Sequence, residues 1–452
     1  MLSITDFRAT MPTGMELRQA LPRAQMNVED AAEKIRPVMR AVKERGAVAL
    51  REFSEQFDGV RPEHLRVPEQ ELSQALEQLD PAVREAMEIS IDHNRAGHRA
   101  QLPTERVTEI MPGGIVKQRW IPVERVGLYV PGGLAVYPSS VIMNVVTAQE
   151  AGVGEIAVAS PPQARFGGVV HPTILAACQL LGVKEVYAVG GAQAIAMFAY
   201  GASGEEGADP NPLCQPVDVI TGPGNIYVAA AKRLVRAVCG IDAEAGPTEI
   251  GIIADSSANP VLVAADMISQ AEHDPNAASV LFTDSEELAR EVEAEIVPAA
   301  QATKHSERVC QALSGSQSGI VLVADMASAI TAVNAYAPEH LEIHTAEAGE
   351  IAKKIRNAGA IFVGPYTPVP LGDYLAGSNH VLPTGGTAHY EGGLSVMAYL
   401  KPVQQVEYQR DTLQEMARPL TAFADAEDLP AHEEAVNCRF KEITDRNNDG
   451  RK

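Results

Sequence analysis

The segment "SQAEHDP" sets Gln270 and His273 three residues apart, a spacing that places both side chains on one face of a helix just before an Asp-Pro stop. An amide carbonyl and an imidazole on one face can share a ligand; alone, the pair fits a surface or capping role better than a metal. A second cluster adds to the first. "PLGDYLAGSNHVLPTGG" holds Asp373 and His380 in a Gly- and Pro-rich loop, and a third histidine, His432, stands in "DLPAH" near the carboxyl end. Imidazoles with one carboxylate suit zinc at neutral pH, and a glutamine carbonyl can complete the shell. Spacing cannot assemble such distant segments; only a fold can. "YAPEHLEIHT" contributes Glu339 and His340, neighbours that follow the helix-breaking Pro338. Adjacent residues diverge in regular structure, so both face one cavity only from an irregular turn. There a carboxylate and an imidazole can serve two different proton transfers; otherwise they are a solvated loop pair.

No Walker loop and no GxGxxG occurs, so the usual fingerprints of phosphate and dinucleotide binding are missing. Instead "YVPGG" (129–133), "GGAQA" (190–194) and "TGPGN" (221–225) each follow a strand-like run. Glycine turns of this kind let a backbone approach a planar or phosphorylated ligand. Each alone is an ordinary turn, and three beside one sheet edge make a site.

The elements that must position these residues are read from periodicity. The first 120 residues read as mostly helical, with Asn27 capping "VEDAAEKIRPVMRAVKERGAVALREFSEQFDG", whose helical spacing runs until Gly59 stops it. From Arg125 short β-branched runs alternate with amphipathic segments: "RVGLYV", "EIAVAS", "EVYAVG" and "VDVIT" each lead into a helical pattern. The alternation starts again with "TEIGIIAD", "ASVLFTD" and "GIVLVAD" and closes with "AIFVG" at Gly364. Strand, helix, strand is the signature of parallel sheets covered by helices. In "NPVLVAADMISQAEHD", Val261, Val263, Ala264, Met267 and Ile268 are expected to face a core. Ligands in such folds usually lie beyond the carboxyl ends of the strands, where the Gly- and His-bearing loops are expected here. After residue 395 the pattern is a helical tail of ~55 residues, too small for a core of its own, and it ends in the polar "DRNNDGRK", where disorder is expected.

The 452-residue length calls for more than one core, and a formal net charge of -22 disfavours nucleic acid as a partner. The amino terminus lacks a secretory pattern and no apolar run reaches the ~20 residues of a membrane span, so a cytoplasmic protein is expected. Five scattered cysteines without CxxC spacing suggest neither disulfides nor a thiolate zinc site.

Taken together, "RVGLYVPGG", "VGGAQAIAMFAYG", "DVITGPGN", "AGPTE", "SQAEHDP", "PEHLEI", "GDYLAGSNHVLPTGGTA" and "DLPAH" resemble the histidinol dehydrogenase family in order and spacing over nearly the whole chain. The resemblance implies a homodimer that oxidises L-histidinol to L-histidine through L-histidinaldehyde, with zinc (Zn2+, one per subunit) and two NAD+, as the last step of histidine biosynthesis. It implies Gln270, His273, Asp373 and His432 as zinc ligands that also contact substrate, with His432 reaching the neighbouring subunit's site. Glu339 and His340 are the implied catalytic pair. Thr248, His340, His380 and Glu427 are implied substrate contacts; Tyr129, Gln193 and Asn225 are implied NAD contacts. No cysteine falls in a matched motif, so a water activated by Glu339 is expected in the second oxidation rather than a thiol adduct.

The implied fold is α/β, two incomplete Rossmann-like parallel-sheet domains with small helical N- and C-terminal extensions. The expected division is 1–25 as an extension, 26–128 with 248–394 as the domain carrying zinc and catalytic residues, 129–247 as the NAD-side domain, and 395–452 as a tail exchanged with the partner. Two departures stand out: Thr248 where "AGPSE" is the commoner form, for which altered pocket fit is expected, and "HYEGGLSVMAYLK" in place of the usual dimer-facing stretch. The alternative within the superfamily is a zinc- and NAD-dependent dehydrogenase of another alcohol, such as a sulfonated propanediol.

Overall fold

The computed structural model describes residues 2–24, 28–132, 135–204 and 212–441. The expected Asn27 cap, Gly133 of the first glycine turn and the terminal "DRNNDGRK" lie outside the described residues. The chain forms two units, Met1–Leu102 with Pro122–Tyr399, and Pro103–Ile121 with Leu400–Lys452.

The strands are β1 (Ser3–Asp6), β2 (Arg106–Met111), β3 (Gly114–Pro122), β4 (Arg125–Tyr129), β5 (Glu155–Ser160), β6 (Glu185–Ala188), β7 (Val219–Thr221), β8 (Gly240–Ile241), β9 (Glu249–Ala254), β10 (Ala278–Thr283), β11 (Gly319–Leu322), β12 (His340–His344), β13 (Ala360–Val363) and β14 (Leu400–Tyr408). The first unit holds two parallel sheets, in the orders β6-β5-β4-β7-β8 and β1-β11-β10-β9-β12-β13. Their central strands are buried throughout, as in "EIGIIA" of β9 and "ASVLFT" of β10. Sheets covered by helices on both faces select such continuous apolar runs, so the two α/β series stand as expected.

Other expectations are corrected. The amino-terminal segment is not a mere extension, because β1 pairs in parallel with β11, Ser3 opposite Gly319. Residues 26–128 do not group with 248–394 alone: the helix Val28–Arg45 turns Val28, Ala32, Ile35 and Met39 into the core of the five-stranded sheet, beside Tyr129, Ala159 and Ile220. That sheet begins at Arg125, not at 129. An amphipathic period shows which face of a helix is buried but not against what, and a four-residue edge strand has no period to read.

In the second unit, β14, β3 and β2 form a three-stranded sheet, with β2 and β3 antiparallel, so the first 120 residues and the tail, mostly helical as expected, also carry strands that were not expected. β2 and β14 are largely exposed, β3 is mostly half-buried, and none shows the alternation that betrays a half-buried strand. The helices Arg410–Ala426 and Pro430–Asn437 follow. Among the described residues no helix is long and apolar enough to cross a membrane.

Candidate active site

Loops from both parallel sheets line one cavity of ≈ 1000 Å³, at the upper end of the ~300–1,000 Å³ of small-molecule sites. The five-stranded sheet contributes its carboxyl ends: Pro131 and Gly132 after β4, and Gly224 and Asn225 after β7. The six-stranded sheet does the opposite. Thr248 precedes β9, His273 precedes β10, Gln317 precedes β11, and Glu339 and His340 stand at the entry to β12. The expectation that all the functional loops lie at carboxyl ends is therefore corrected for this sheet. After β13 the chain returns through the helix Val369–Tyr374, which brings Asp373, and then His380, to the same cavity.

This polarity sets the local field. At the five-stranded sheet the cavity meets the starts of the helices Pro138–Ala151 and Ile226–Val235. Helix N-termini carry partial positive charge and favour anions. At the six-stranded sheet it meets segments just past the ends of Pro260–Ala271, Ser306–Ser314 and Met326–Tyr336, and helix C-termini favour cations.

Asn259 caps the helix Pro260–Ala271, accepting from the Val261 N–H. Val263, Ala264 and Met267 are buried as expected, Ile268 is half-buried, and Val261 is exposed. The helix stops before His273, whose backbone N–H still reaches the Gln270 carbonyl at 3.3 Å. Gln270 Nε2 donates to Thr248 Oγ1 (2.6 Å), and Thr248 Oγ1 donates to Glu339 Oε2 (2.6 Å). The relay fixes the amide's orientation, leaving Gln270 Oε1 as its free atom. That oxygen is buried without a partner. A buried carbonyl with no donor is what a cation or a donor ligand would satisfy; Gln270 is not itself among the lining residues, whereas His273 and Asp373 are, and amide, imidazole and carboxylate are a donor set that suits zinc.

Glu339 Oε2 also accepts from the Glu249 backbone N–H (2.9 Å). Burial nevertheless outweighs these bonds and pushes the Glu339 carboxyl up to about 8. His340 turns Nδ1 toward the Glu249 carbonyl (3.3 Å), so that nitrogen carries the proton. Its Nε2 is buried, unpartnered and unprotonated. Burial holds His340, His273 and His380 below the ordinary imidazole value, which keeps all three rings neutral. His380 is held at both nitrogens, Nδ1 on the Asp373 carbonyl (3.1 Å) and Nε2 on Ser140 Oγ (3.1 Å). Glu339 and His340 can converge because Ala337 closes the preceding helix in the left-handed region, φ 50°, giving the irregular turn that adjacent residues require.

Asn225 lines the cavity while its Oδ1 caps the helix Ile226–Val235. Tyr129 and Gln193 are buried but are not among the lining residues, and the Tyr129 hydroxyl accepts from the Gly191 N–H at 3.0 Å. Gly222, at φ +114°, lies against the Tyr129 carbonyl oxygen so closely that a Cβ would overlap it. Its N–H donates to Asp242 Oδ2 (2.8 Å), which with buried Lys232 pins the loop after β7. Glu427 and His432 belong to the second unit: Glu427 closes the helix Arg410–Ala426, His432 lies in Pro430–Asn437, and both are exposed. Sequence reasoning missed Ser140 and Glu249, whose only signals were their places at a helix start and beside Thr248. It also missed a buried trio, Asp266, Glu342 and His344, whose ligating atoms lie within 4.8 Å of one another.

The profile of the histidinol dehydrogenase family matches residues 21–440. The chain belongs to that family. It is 58% identical over 443 residues to the histidinol dehydrogenase of Nocardia farcinica, covering 98% of this chain and 99% of that one. It is 61% identical over 423 residues to that of Thermobifida fusca, covering 94% of each. The crystal structure of histidinol dehydrogenase from Elizabethkingia anophelis superposes with a TM-score of 0.89 at 30% identity, over 97% of this chain and 98% of that one. None of the five cysteines lines the cavity.

Proposed function

We propose that this histidinol dehydrogenase family member oxidises L-histidinol to L-histidine through L-histidinaldehyde, using two NAD+, as the last step of histidine biosynthesis in the cytoplasm. One observation carries the reading: adjacent Glu339 and His340 share a cavity whose sheets offer anion-favouring helix starts on one side and cation-favouring helix ends on the other. Membership of the family favours histidinol over a sulfonated propanediol.

Gln270 Oε1, His273, Asp373 and His432 of the partner subunit would hold one zinc ion. When bound, zinc supplies a cationic clamp for the substrate's imidazole and amine. His340 Nε2, neutral and unpartnered, takes the carbinol proton. An alcohol has a pKa of ~16, so a free alkoxide at pH 7 would cost ~12 kcal/mol; proton loss to His340 is therefore coupled to hydride departure. In the second oxidation the ionised form of Glu339 removes a proton from the water that adds to the aldehyde. Thr248 and His380 border the substrate, and Glu427 of the partner subunit recognises it. Tyr129, Gln193 and Asn225 shape the NAD side. Holding both reactants in a reactive pose contributes ~7–11 kcal/mol.

A homodimer is supported by the second unit, whose helix Arg410–Ala426 buries only Thr412 and Ala424 and leaves Phe423 73% exposed. The deciding measurement is NADH formed per histidinol consumed by zinc-loaded protein. Two identifies the four-electron reaction, one means that the aldehyde escapes, and none rejects histidinol as substrate. Mixing inactive His340→Asn with inactive His432→Ala should restore activity in heterodimers; no recovery after verified subunit exchange rejects shared sites.

A further inference from the structure

The trio Asp266, His344 and Glu342 lies outside the cavity lining and is used by no step above. His344 Nε2 stands 3.3 Å from Glu342 Oε2 and 3.4 Å from Asp266 Oδ2, with all three side chains 14% exposed or less. Burial works against charge on the ring, but the hydrogen bonds to Asp266 and Glu342 outweigh it and raise His344 to about 9. Each member sits on an element that carries a candidate site residue. Asp266 is one helical turn before Gln270 on Pro260–Ala271. Glu342 and His344 follow His340 at alternate positions of β12 and so share its face. Glu342 Oε1 accepts the Val369 N–H at 2.8 Å, at the first residue of the helix that carries Asp373.

We propose that Asp266, His344 and Glu342 form a buried hydrogen-bonded strut that positions the metal-binding side of the cavity, holding Gln270 and Asp373 in register with His340. The strut joins three elements that are remote in sequence. Outer contacts of this kind govern whether ligands meet a metal at the right angle, and their loss typically weakens metal affinity ~10–100-fold. The inference rests on the proposed assignment of Gln270, His273 and Asp373 as ligands, so these residues are positioned by the strut rather than belonging to it.

The test uses full-length protein with Glu342→Ala, Glu342→Gln and, as a control for general destabilisation, Val309→Ala in the core behind the same sheet. Zinc affinity is read by competition with a chelating dye, and kcat and KM for histidinol at saturating zinc. Glu342→Ala is expected to weaken zinc ~10–100-fold and to lower kcat. Glu342→Gln, which keeps an acceptor for the Val369 N–H, should recover most of both. Val309→Ala should lower the thermal midpoint while leaving zinc affinity within about twofold of wild type. Wild-type affinity and kcat in folded Glu342→Ala overturns the strut, as does an equal loss of zinc in Val309→Ala. A second zinc per chain that vanishes in Glu342→Ala overturns it in favour of a cation site at the trio. If wild type binds no zinc, the ligand assignment fails instead. The strut is then judged on kcat alone, standing if Glu342→Ala loses turnover that Glu342→Gln restores and falling otherwise.

Discussion

The two parallel sheets of the first unit are built alike and used in opposite senses. The five-stranded sheet presents the carboxyl ends of β4 and β7 to the cavity, the usual place for a ligand in an open α/β fold. The six-stranded sheet presents the amino ends of β9, β10 and β12, bringing helix C-termini, the candidate catalytic pair Glu339 and His340, and the candidate metal ligand His273. Strand composition does not distinguish the two, since both are runs of buried Ile, Val and Ala. The orientation does: helix starts suit a dinucleotide's phosphates, and helix ends suit zinc and a protonated amine. A missing GxGxxG is compatible with this arrangement, because "TGPGN" brings a helix start to the cavity without that fingerprint.

Each side of the comparison can be broken separately. The largest effect is expected from His340→Asn on the six-stranded side, which should lower overall turnover ~10²–10⁴-fold while calorimetry finds NAD+ affinity unchanged; full turnover would dismiss His340 as the base. Glu339→Gln should slow the aldehyde-to-acid step ~10²-fold and the alcohol step less, as separated by single-turnover assays on each substrate. The pH dependence has a definite sign. Burial raises the carboxyl to about 8, so the ionised base is lost as pH falls below that value. The second step in wild type should drop about tenfold per unit there, and Glu339→Gln should lack this slope; an identical slope in the variant would point to another base.

On the five-stranded side, Gly222→Ala forces a side chain into a left-handed residue and against the Tyr129 carbonyl. KM for NAD+ should rise by roughly an order of magnitude, with zinc affinity untouched; a loss of zinc would show that the two sides are not separable. The smallest effect is expected from Thr248→Val, which removes the hydroxyl bond that favours the Glu339 carboxylate. The acidic limb of the pH profile should move up by about half a unit, ~3-fold in rate near neutrality, whereas Thr248→Ser should match wild type. This bears on the threonine found where serine is commoner: the hydroxyl's partners, Gln270 and Glu339, are both protein groups.

Much of this was legible in the chain. The α/β alternation was readable because strands buried on both faces are uninterrupted apolar runs, and the eight ordered motifs carried the family. Which end of a sheet faces the ligand was not readable, because strand order along the chain does not say where a returning helix such as Val369–Tyr374 leaves its last residues. β1, β2 and β14 were missed since short or solvated strands bury too little to leave a period. The strut residues were invisible for another reason. Glu342 and His344 alternate along β12 like any buried positions, and only the approach of Asp266 from another element turns them into a hydrogen-bonded cluster.

The contact between Gly222 and the Tyr129 carbonyl has a consequence for how the fold can vary. Two main chains meeting without an intervening side chain act as a gauge block: the gap between the β4 and β7 turns has no room for a Cβ, and the Asp242 bond and the strand pairing hold it there. Sequence change at this point is therefore confined to groups along the rim of the two turns, because the glycine itself admits no larger side chain.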